Sequence, residues 1–435
     1  MKYQIIKDLE EYLTKAFGSS TKPQIGVERT PTDFDGDITV NCFRLAPHFK
    51  VSPMDIAEKA GEFCEGHDDA IQVQTIKAFV NITLDSTRLF QEAVADEEAI
   101  LDNCRLAEEE RRKIVVEFSA PNTNKPQHLG HVRNNALGQA IVSLFEKIGH
   151  TAAPVNLIND RGIHICKSML AYQKWGGGKT PESEGVKPDH FVGQYYVKFD
   201  TEAAKSEEAK KQLESEAQDM LRQWEQGDEK TMELWNQMNS WVYKGFKQTY
   251  DKLDFNIVKD YFESDTYKGG RDLILNGLEN GIFEKDDSGA VIFNLEDKNL
   301  GKKVMLRSDG TAVYITQDVN MARLRHNDFS FDRMMYVVAN EQEYHFKVLF
   351  EVFRALGFPF AGKCHHFAYG MVELPSGKMK SREGTVIDTD DLIADMESLA
   401  REEIEKRYDD LDEAEMAKRT ESIALSAIRF FFLKH

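Results

Sequence analysis

His128 and His131 are the pair of residues whose types and spacing most readily do chemistry in this sequence. They lie in residues 116–131, which read VEFSAPNTNKPQHLGH. Residues three apart at the start of a helix face the same way. Unpaired backbone N–H groups and the positive end of the helix dipole favour an anion at such a place. Gly130 between them leaves room for a flat or bulky ligand to approach the backbone. Taken alone, the pair also fits two solvated or capping histidines, so the rest of the chain has to be weighed with it.

Other polar groups recur at the ends of apolar runs. Asp309-Gly310 makes a turn before Val313-Tyr314-Ile315, which reads as a strand or strand end, with Thr316 as a helix cap. Tyr314 and Asp318 are four apart, one helical turn if a helix starts near Thr316. Residues 334–338, MMYVV, form an apolar strand, and Asn340-Glu341-Gln342-Glu343-Tyr344-His345 opens a helix after it. Residues 377–385, GKMKSREGT, form a basic loop between apolar segments and are placed to close a site. Two tempting patterns carry little. Gly176-Gly177-Gly178-Lys179-Thr180 lacks the spacing of a phosphate loop and follows no strand. Cys364-His365-His366 and His164-Ile165-Cys166 are adjacent residues, which a strand points to opposite faces, so neither makes a good metal set.

The elements that must position these groups follow from pattern. Lys113 to Val116 is a β-branched run and reads as a strand. Pro121 and Pro126 bracket a stiff loop and are expected to hold the residues before them extended. A helix runs from about Gly130 to Ile148, with apolar residues at helical spacing and Gly149 as its stop. Residues 154–158 are a second strand, so the order is strand, helix, parallel strand. Ligands of such sheets bind at the carboxyl ends of the strands, where residues 117–131 begin. Asn159-Asp160-Arg161-Gly162 follows the second strand, as a turn or as a nucleotide-positioning group. Ile163 to Trp175 reads as a helix, and residues 201–241 as largely helical, inside an insertion at about 176–254.

The bulk properties set limits. A chain of 435 residues exceeds one compact core and suggests several domains. No run approaches the roughly 20 apolar residues that span a bilayer. A formal net charge of -19 argues against a sequence-indifferent nucleic-acid binder but not against one shaped RNA partner. Five scattered cysteines, none in a Cys-x-x-Cys pair, argue against structural zinc and fit reduced thiols. The start of the chain lacks a signal-peptide pattern, and a cytoplasmic protein is expected.

His128-Leu129-Gly130-His131 resembles the His-Ile-Gly-His motif of class I aminoacyl-tRNA synthetases, with Leu129 for Ile. The flanking residues 117–122, Lys125-Pro126 and Val132-Arg133-Asn134-Asn135 resemble the arginyl-tRNA synthetase version. Residues 309–318 and 340–345 resemble that family's Asp-Gly-Thr…Tyr-x-Thr-x-Asp and Asn-Glu-Gln-x-x-His patterns. The loop at Lys378 resembles Lys-Met-Ser-Lys-Ser, but Lys380 replaces the first Ser and Ser381 falls where the second Lys belongs.

The resemblance implies ATP-dependent attachment of arginine to tRNA(Arg) through an arginyl-adenylate. ATP is the cofactor, with Mg²⁺ held mainly by its phosphates. His128, Gly130, His131 and Asn134 would bind ATP, and Lys125, Lys378, Lys380 or Arg382 would hold the pyrophosphate, Lys125 standing in for the lysine the loop lacks. Glu117 and Asp318 would read the guanidinium, which needs acceptors for forked, permanently charged donors. Asn122 and Gln342 would take the α-amino group, and Ser119 and Tyr314 would complete the pocket. Another class I adenylating enzyme, or a tRNA-binding relative without catalysis, is the alternative.

The fold expected is α/β: a Rossmann-like parallel-sheet catalytic domain at 113–390 with a helical insertion, preceded by a small α+β domain at 1–107, which the resemblance implies contacts tRNA. Residues 391–435 are helical and would lead into an anticodon-binding domain that the sequence lacks. A monomer that keeps clear of membranes is expected.

Overall fold

The computed structural model describes residues 3–95, 104–374, 377–378 and 387–434. They form two compact units, residues 1–106 and 107–435. The first is built on helix α1 (Gln4–Ala16), whose Ile5, Ile6, Leu9 and Leu13 repeat at helical spacing and are fully buried. Helix α2 (Pro53–Glu65) starts as its sequence requires, with Ser52 Oγ accepting the Met54 N–H and Pro53 in the first turn. Strands β1 (Val27–Arg29), β2 (Ile38–Asn41), β3 (Ala70–Ile76) and β4 (Phe79–Leu84) make an antiparallel sheet in the order β1-β2-β4-β3. Helix α3 covers Ser86–Ala95.

The second unit is organised on five parallel strands: β5 (Lys113–Glu117), β6 (Thr151–Ile158), β7 (Lys259–Phe262), β11 (Arg333–Ala339) and β12 (Cys364–Tyr369). Their order is β12-β11-β5-β6-β7. The chain therefore leaves β5 toward one edge and returns beside it as β11, which makes the crevice between β5 and β11 the topological switch point. Val115 and Val116 on β5 are buried on both faces of the sheet. Each such side chain contributes about 2 kcal/mol by burial. Helix α4 (Leu129–Lys147) crosses from β5 to β6 and lies close: a Cβ at Gly138 would stand 2.2 Å from the Phe118 ring.

Helix α5 (Ile163–Trp175) follows β6, and α6 (Pro188–Ala203), α7 (Glu207–Gln226) and α8 (Glu229–Leu253) fill the insertion. Their Met169, Phe191, Leu213 and Trp241 share one core with Leu129 and Val132 of α4 and with Ile393 and Ile428 near the end of the chain. The insertion is thus packed on the body. Helix α9 (Gly270–Glu279) precedes a meander of β8 (Glu284–Lys285), β9 (Val291–Leu295) and β10 (Gly301–Leu306), which the sequence reading did not resolve. Helix α10 (Tyr314–Phe329) precedes β11, and α11 (Glu343–Ala355) follows it. A short hairpin, β13 (Glu373–Leu374) with β14 (Gly377–Lys378), precedes α12 (Thr389–Glu405) and α13 (Glu413–Lys434).

Three local expectations need correction. Residues 313–315 do not form a strand: Val313 is the extended cap and Tyr314 already belongs to α10. Ile315, Val319 and Ala322 recur at helical spacing and are buried, and that burial outweighs the β propensity of Val-Tyr-Ile. Thr316 is not a cap; its hydroxyl donates to Met305 O on β10. Ala120, before Pro121, is not extended but has φ +48°, beside Ser119 at φ +79°. This costly backbone is held by the Ser119 and Ala120 N–H groups, which donate to Asn134 Oδ1 and Asn156 Oδ1.

Candidate active site at the carboxyl edge of the parallel sheet

The site is assembled at the ends of β5, β6, β11 and β12 and at the start of α4. A cavity of about 490 Å³ occupies the β5/β11 switch point. Glu117, Phe118, Ser119 and Ala120 line it from the end of β5 and the loop after it, His128, Gly130, His131 and Asn134 from the cap and first turns of α4, and Val337, Val338 and Ala339 from β11. His128 is the N-cap of α4, and its Nδ1 accepts the Gly130 N–H at 3.1 Å. His131 Nδ1 accepts the His128 N–H at 3.1 Å. Each neutral ring therefore carries its proton on Nε2, as a donor. Burial, aided by Lys125, pushes the His128 pKa down to about 4. Burial, with His128 and Lys125, holds His131 well below its ordinary value. Gly130 serves this arrangement more than it serves a ligand: a Cβ there would press on the His128 ring at 3.0 Å.

Asn134 lines the cavity, but its amide is committed. Oδ1 accepts the Ser119 N–H at 2.5 Å, and Nδ2 donates to Val337 O at 2.7 Å and to Tyr369 Oη at 2.8 Å. It is a tie across the switch point. The Ser119 hydroxyl is committed too, at 2.6 Å from Tyr250 Oη.

A second cavity, about 750 Å³, is lined by Asn122, Asn124, Lys125, Asn159, Arg161, Glu263, Tyr314 and Gln317 among others. The loops after β5 and β6 are stitched together there: Asn159 donates its N–H to Pro121 O and Thr123 its own to Asn159 O. Asn122 and Asn159 pair as an isolated bridge. Burial lowers the Lys125 pKa, and among the described residues no carboxylate pairs with it. A third cavity of about 720 Å³ joins Tyr314, Asp318, Gln342 and His345. Asp318 accepts from His345 Nε2 at 2.7 Å, and Tyr314 stands open, 79% exposed.

Glu117 is where the structure departs furthest from the sequence reading. It is 8% exposed, and it forms an ion pair with the protein's own Arg325, which is 2% exposed on α10. Burial pushes its carboxyl up, and Arg325 offsets only part of that. One guanidinium of the chain itself thus already pairs with this carboxylate, which still lines the cavity. The third acid at this site, which the sequence reading missed, is Glu263 just after β7. It lies 3.8 Å from Arg161, bonds Gln317, and interacts with Asp318. Burial raises its pKa, with Arg161 pulling the other way and Asp160 and Asp318 adding to the rise. The signal was available: an acidic residue directly follows the apolar end of a strand. Arg325 too was legible, seven residues after Asp318 on the same face of a helix.

Asp160 resolves as structure. It is 1% exposed and accepts from Ser264 N at 2.9 Å, Ser264 Oγ at 2.7 Å and Tyr243 Oη at 3.0 Å. His365 bonds Arg333 and His366 bonds Val338 O, while Cys364 is buried. Lys378 lies on β14, whereas Lys380 and Arg382 fall outside the described residues.

A parallel sheet with two donor imidazoles at a helix start, at the switch point, defines the nucleotide fold of a class I synthetase. Residues 97–435 match the family described as class I (R) tRNA synthetase catalytic domain, and residues 3–84 match the arginyl tRNA synthetase N-terminal domain. The arginine–tRNA ligase of Porphyromonas gingivalis is 43% identical over 428 residues, 94% of this chain and 72% of that protein. That of Treponema denticola is 44% identical over 419 residues, 94% of this chain and 70% of that one. The Thermus thermophilus arginyl-tRNA synthetase structure shares the fold, with a TM-score of 0.70 at 23% identity over 98% of this chain and 75% of that one. The chain belongs to the arginyl-tRNA synthetase family.

Proposed function

We infer that this protein attaches arginine to tRNA at the expense of ATP. The arginine carboxylate attacks the α-phosphorus, pyrophosphate leaves, and the adenylate passes arginine to a ribose hydroxyl at the tRNA end. Neither step needs a covalent enzyme intermediate; both depend on positioning and on cancelling moving charge. The observation that carries the residue-level reading is the pair of neutral imidazoles lining the switch-point cavity, each with Nδ1 occupied by a backbone N–H.

In this reading His128 and His131 donate through Nε2 to phosphate oxygens, over Gly130 and beside Asn134. Lys125 meets the departing pyrophosphate, together with Lys378, Lys380 or Arg382. Asp318 reads the guanidinium with Tyr314 beside it, and Asn122 and Gln342 take the α-amino group. Glu117, paired with Arg325 and sharing a field with Asp318, adds its negative charge to the cavity wall, and Ser119 acts through its backbone turn. Mg²⁺ would travel on the ATP phosphates, its usual mode of binding.

The N-terminal unit contacts tRNA; its exposed Phe43 and Phe79, edge to face at 5.7 Å, are suited to stacking on bases. A cytoplasmic monomer is supported by unpaired cysteines, by a net charge of -19 that opposes self-association, and by there being no described helix long and apolar enough to cross a membrane. The test is ATP–pyrophosphate exchange with tRNA(Arg) present, one amino acid at a time. Arginine alone should support exchange, and exchange driven by another amino acid instead would overturn the reading.

A further inference from the structure

Around the start of α6 two acidic residues converge on one ammonium, and a third meets the neighbouring His190. Lys187 Nζ lies 2.6 Å from Asp390 Oδ2, 3.3 Å from Asp189 Oδ2 and 2.5 Å from Thr249 Oγ1. His190 Nε2 lies 2.7 Å from the same Asp390 oxygen and 3.4 Å from Asp388 Oδ1. Asp189 is fully buried, and a Cβ at Gly245 of α8 would stand 2.3 Å from its Oδ1. Asp189, His190 and Asp390 have the composition of a metal site. The Lys187 ammonium already stands against two of those carboxylates, so the cluster is a built ion-pair network.

What the network holds lies next to the chemistry. Asp388 caps α12, accepting the Asp390 N–H at 2.8 Å. The backbone just before and after it is paired with the segment that carries the histidines. Leu129 donates its N–H to Ile387 O at 3.1 Å, Thr389 donates to Gln127 O at 3.1 Å, and His128 and Asp388 face each other as an antiparallel bridge. The same helix α6 meets that segment a second time: a Cβ at Gly193 would stand 2.8 Å from Pro126 Cδ and 3.6 Å from Lys125 Cα. A cavity of about 400 Å³ between them is lined by Lys125, Gln127, His128, His190, Gly193 and Asp388 among others. The insertion thus touches residues 125–129 directly at Gly193 and through Asp388 and Asp390 at Lys187 and His190.

We propose that Lys187 and His190 are positioning residues for adenylate formation: by clamping Asp388 and Asp390 they fix the strip paired to residues 127–129, and so set where Lys125 and His128 meet the phosphates. This rests on the phosphate role given to those two residues above. A near-attack geometry lost by about an ångström costs up to about 100-fold in rate. The experiment is ATP–pyrophosphate exchange by the full chain with tRNA(Arg), on His190→Asn, Lys187→Met, Lys187→Arg and His128→Ala, with thermal midpoints measured alongside. His190→Asn and Lys187→Met should lower kcat between about 10- and 100-fold with the arginine KM within about twofold. Lys187→Arg should recover most of the loss. Wild-type kcat in both variants, or losses of kcat and KM together that track the thermal midpoint, would overturn the proposal. Should Lys187→Met fail to fold, His190→Asn decides alone. If His128→Ala also keeps full kcat, the phosphate reading has failed; if only His128→Ala is impaired, that reading stands and the clamp does not.

Discussion

His128 and His131 work as neutral donors because each spends its Nδ1 on a backbone N–H in the first turn of α4. Protonating either ring would break that bond. In the unfolded chain a histidine titrates near 6.5, whereas folded His128 titrates at about 4. Between those values the unfolded state binds more protons, so stability present above about pH 6.5 is lost as pH falls toward about 4. The contribution is at most about 3 kcal/mol. His128→Gln should flatten the change in urea midpoint between pH 7 and pH 5, and an unchanged pH dependence would refute the tautomer assignment. Asp318 calls for a kinetic measurement. Losing a charge-assisted bond to a guanidinium costs about 1.5–3 kcal/mol, so Asp318→Asn should raise the arginine KM roughly 10- to 100-fold. The ATP KM should hardly move; an equal rise in both would remove Asp318 from the arginine pocket.

At the scale of elements, two buried polar ties fix how the strands and α10 stand around the cavity. Asn134 bridges β5 and β11. Asn134→Ala leaves the Ser119 N–H and the Val337 carbonyl unpaired and should cost about 1–3 kcal/mol in urea unfolding. A cost below about 0.5 kcal/mol would mean the loop at Ser119 and Ala120 stands without it. Arg325 joins α10 to Glu117 of β5. Arg325→Met strands a buried carboxylate and should cost about 3–5 kcal/mol, much of it recovered by adding Glu117→Gln. If the double variant is no more stable than Arg325→Met, the pair is not the structural unit described. The helices here were legible from spacing: Ile163–Trp175 falls where its pattern placed it. The start of α10 was not, because Val-Tyr-Ile is locally a strand sequence and only packing of Ile315 and Val319 turns it into a helix. The short, irregular meander of β8 to β10 offered too little alternation to read.

Over the whole molecule, the two units have separate cores, Ile5 to Leu84 in one and the parallel sheet with its helices in the other. Residues 107–435 produced alone should therefore fold cooperatively, with a thermal midpoint by circular dichroism within a few degrees of the full chain's catalytic transition. A chain that is unfolded or molten at 25 °C would show that the cores are not independent. Its local acidity also has a pattern: Glu117 and Glu263 each feel the charge of Asp318, while Lys125 and His128 both depress the pKa of His131.

The sequence by itself determined the βαβ frame, the place of His128 and His131 at a helix start, and the adjacency of Tyr314 and Asp318. Each of those follows from spacing within a few residues. Only the tertiary structure decided that Glu117 is answered by Arg325, that Asn134 and Ser119 are committed to the scaffold, and that Lys187 and His190 reach Asp388 and Asp390. Those partners are 15 to 235 residues away along the chain. No local pattern encodes such pairings, because burial and charge neutralisation are settled only when the sheet and the insertion close on each other.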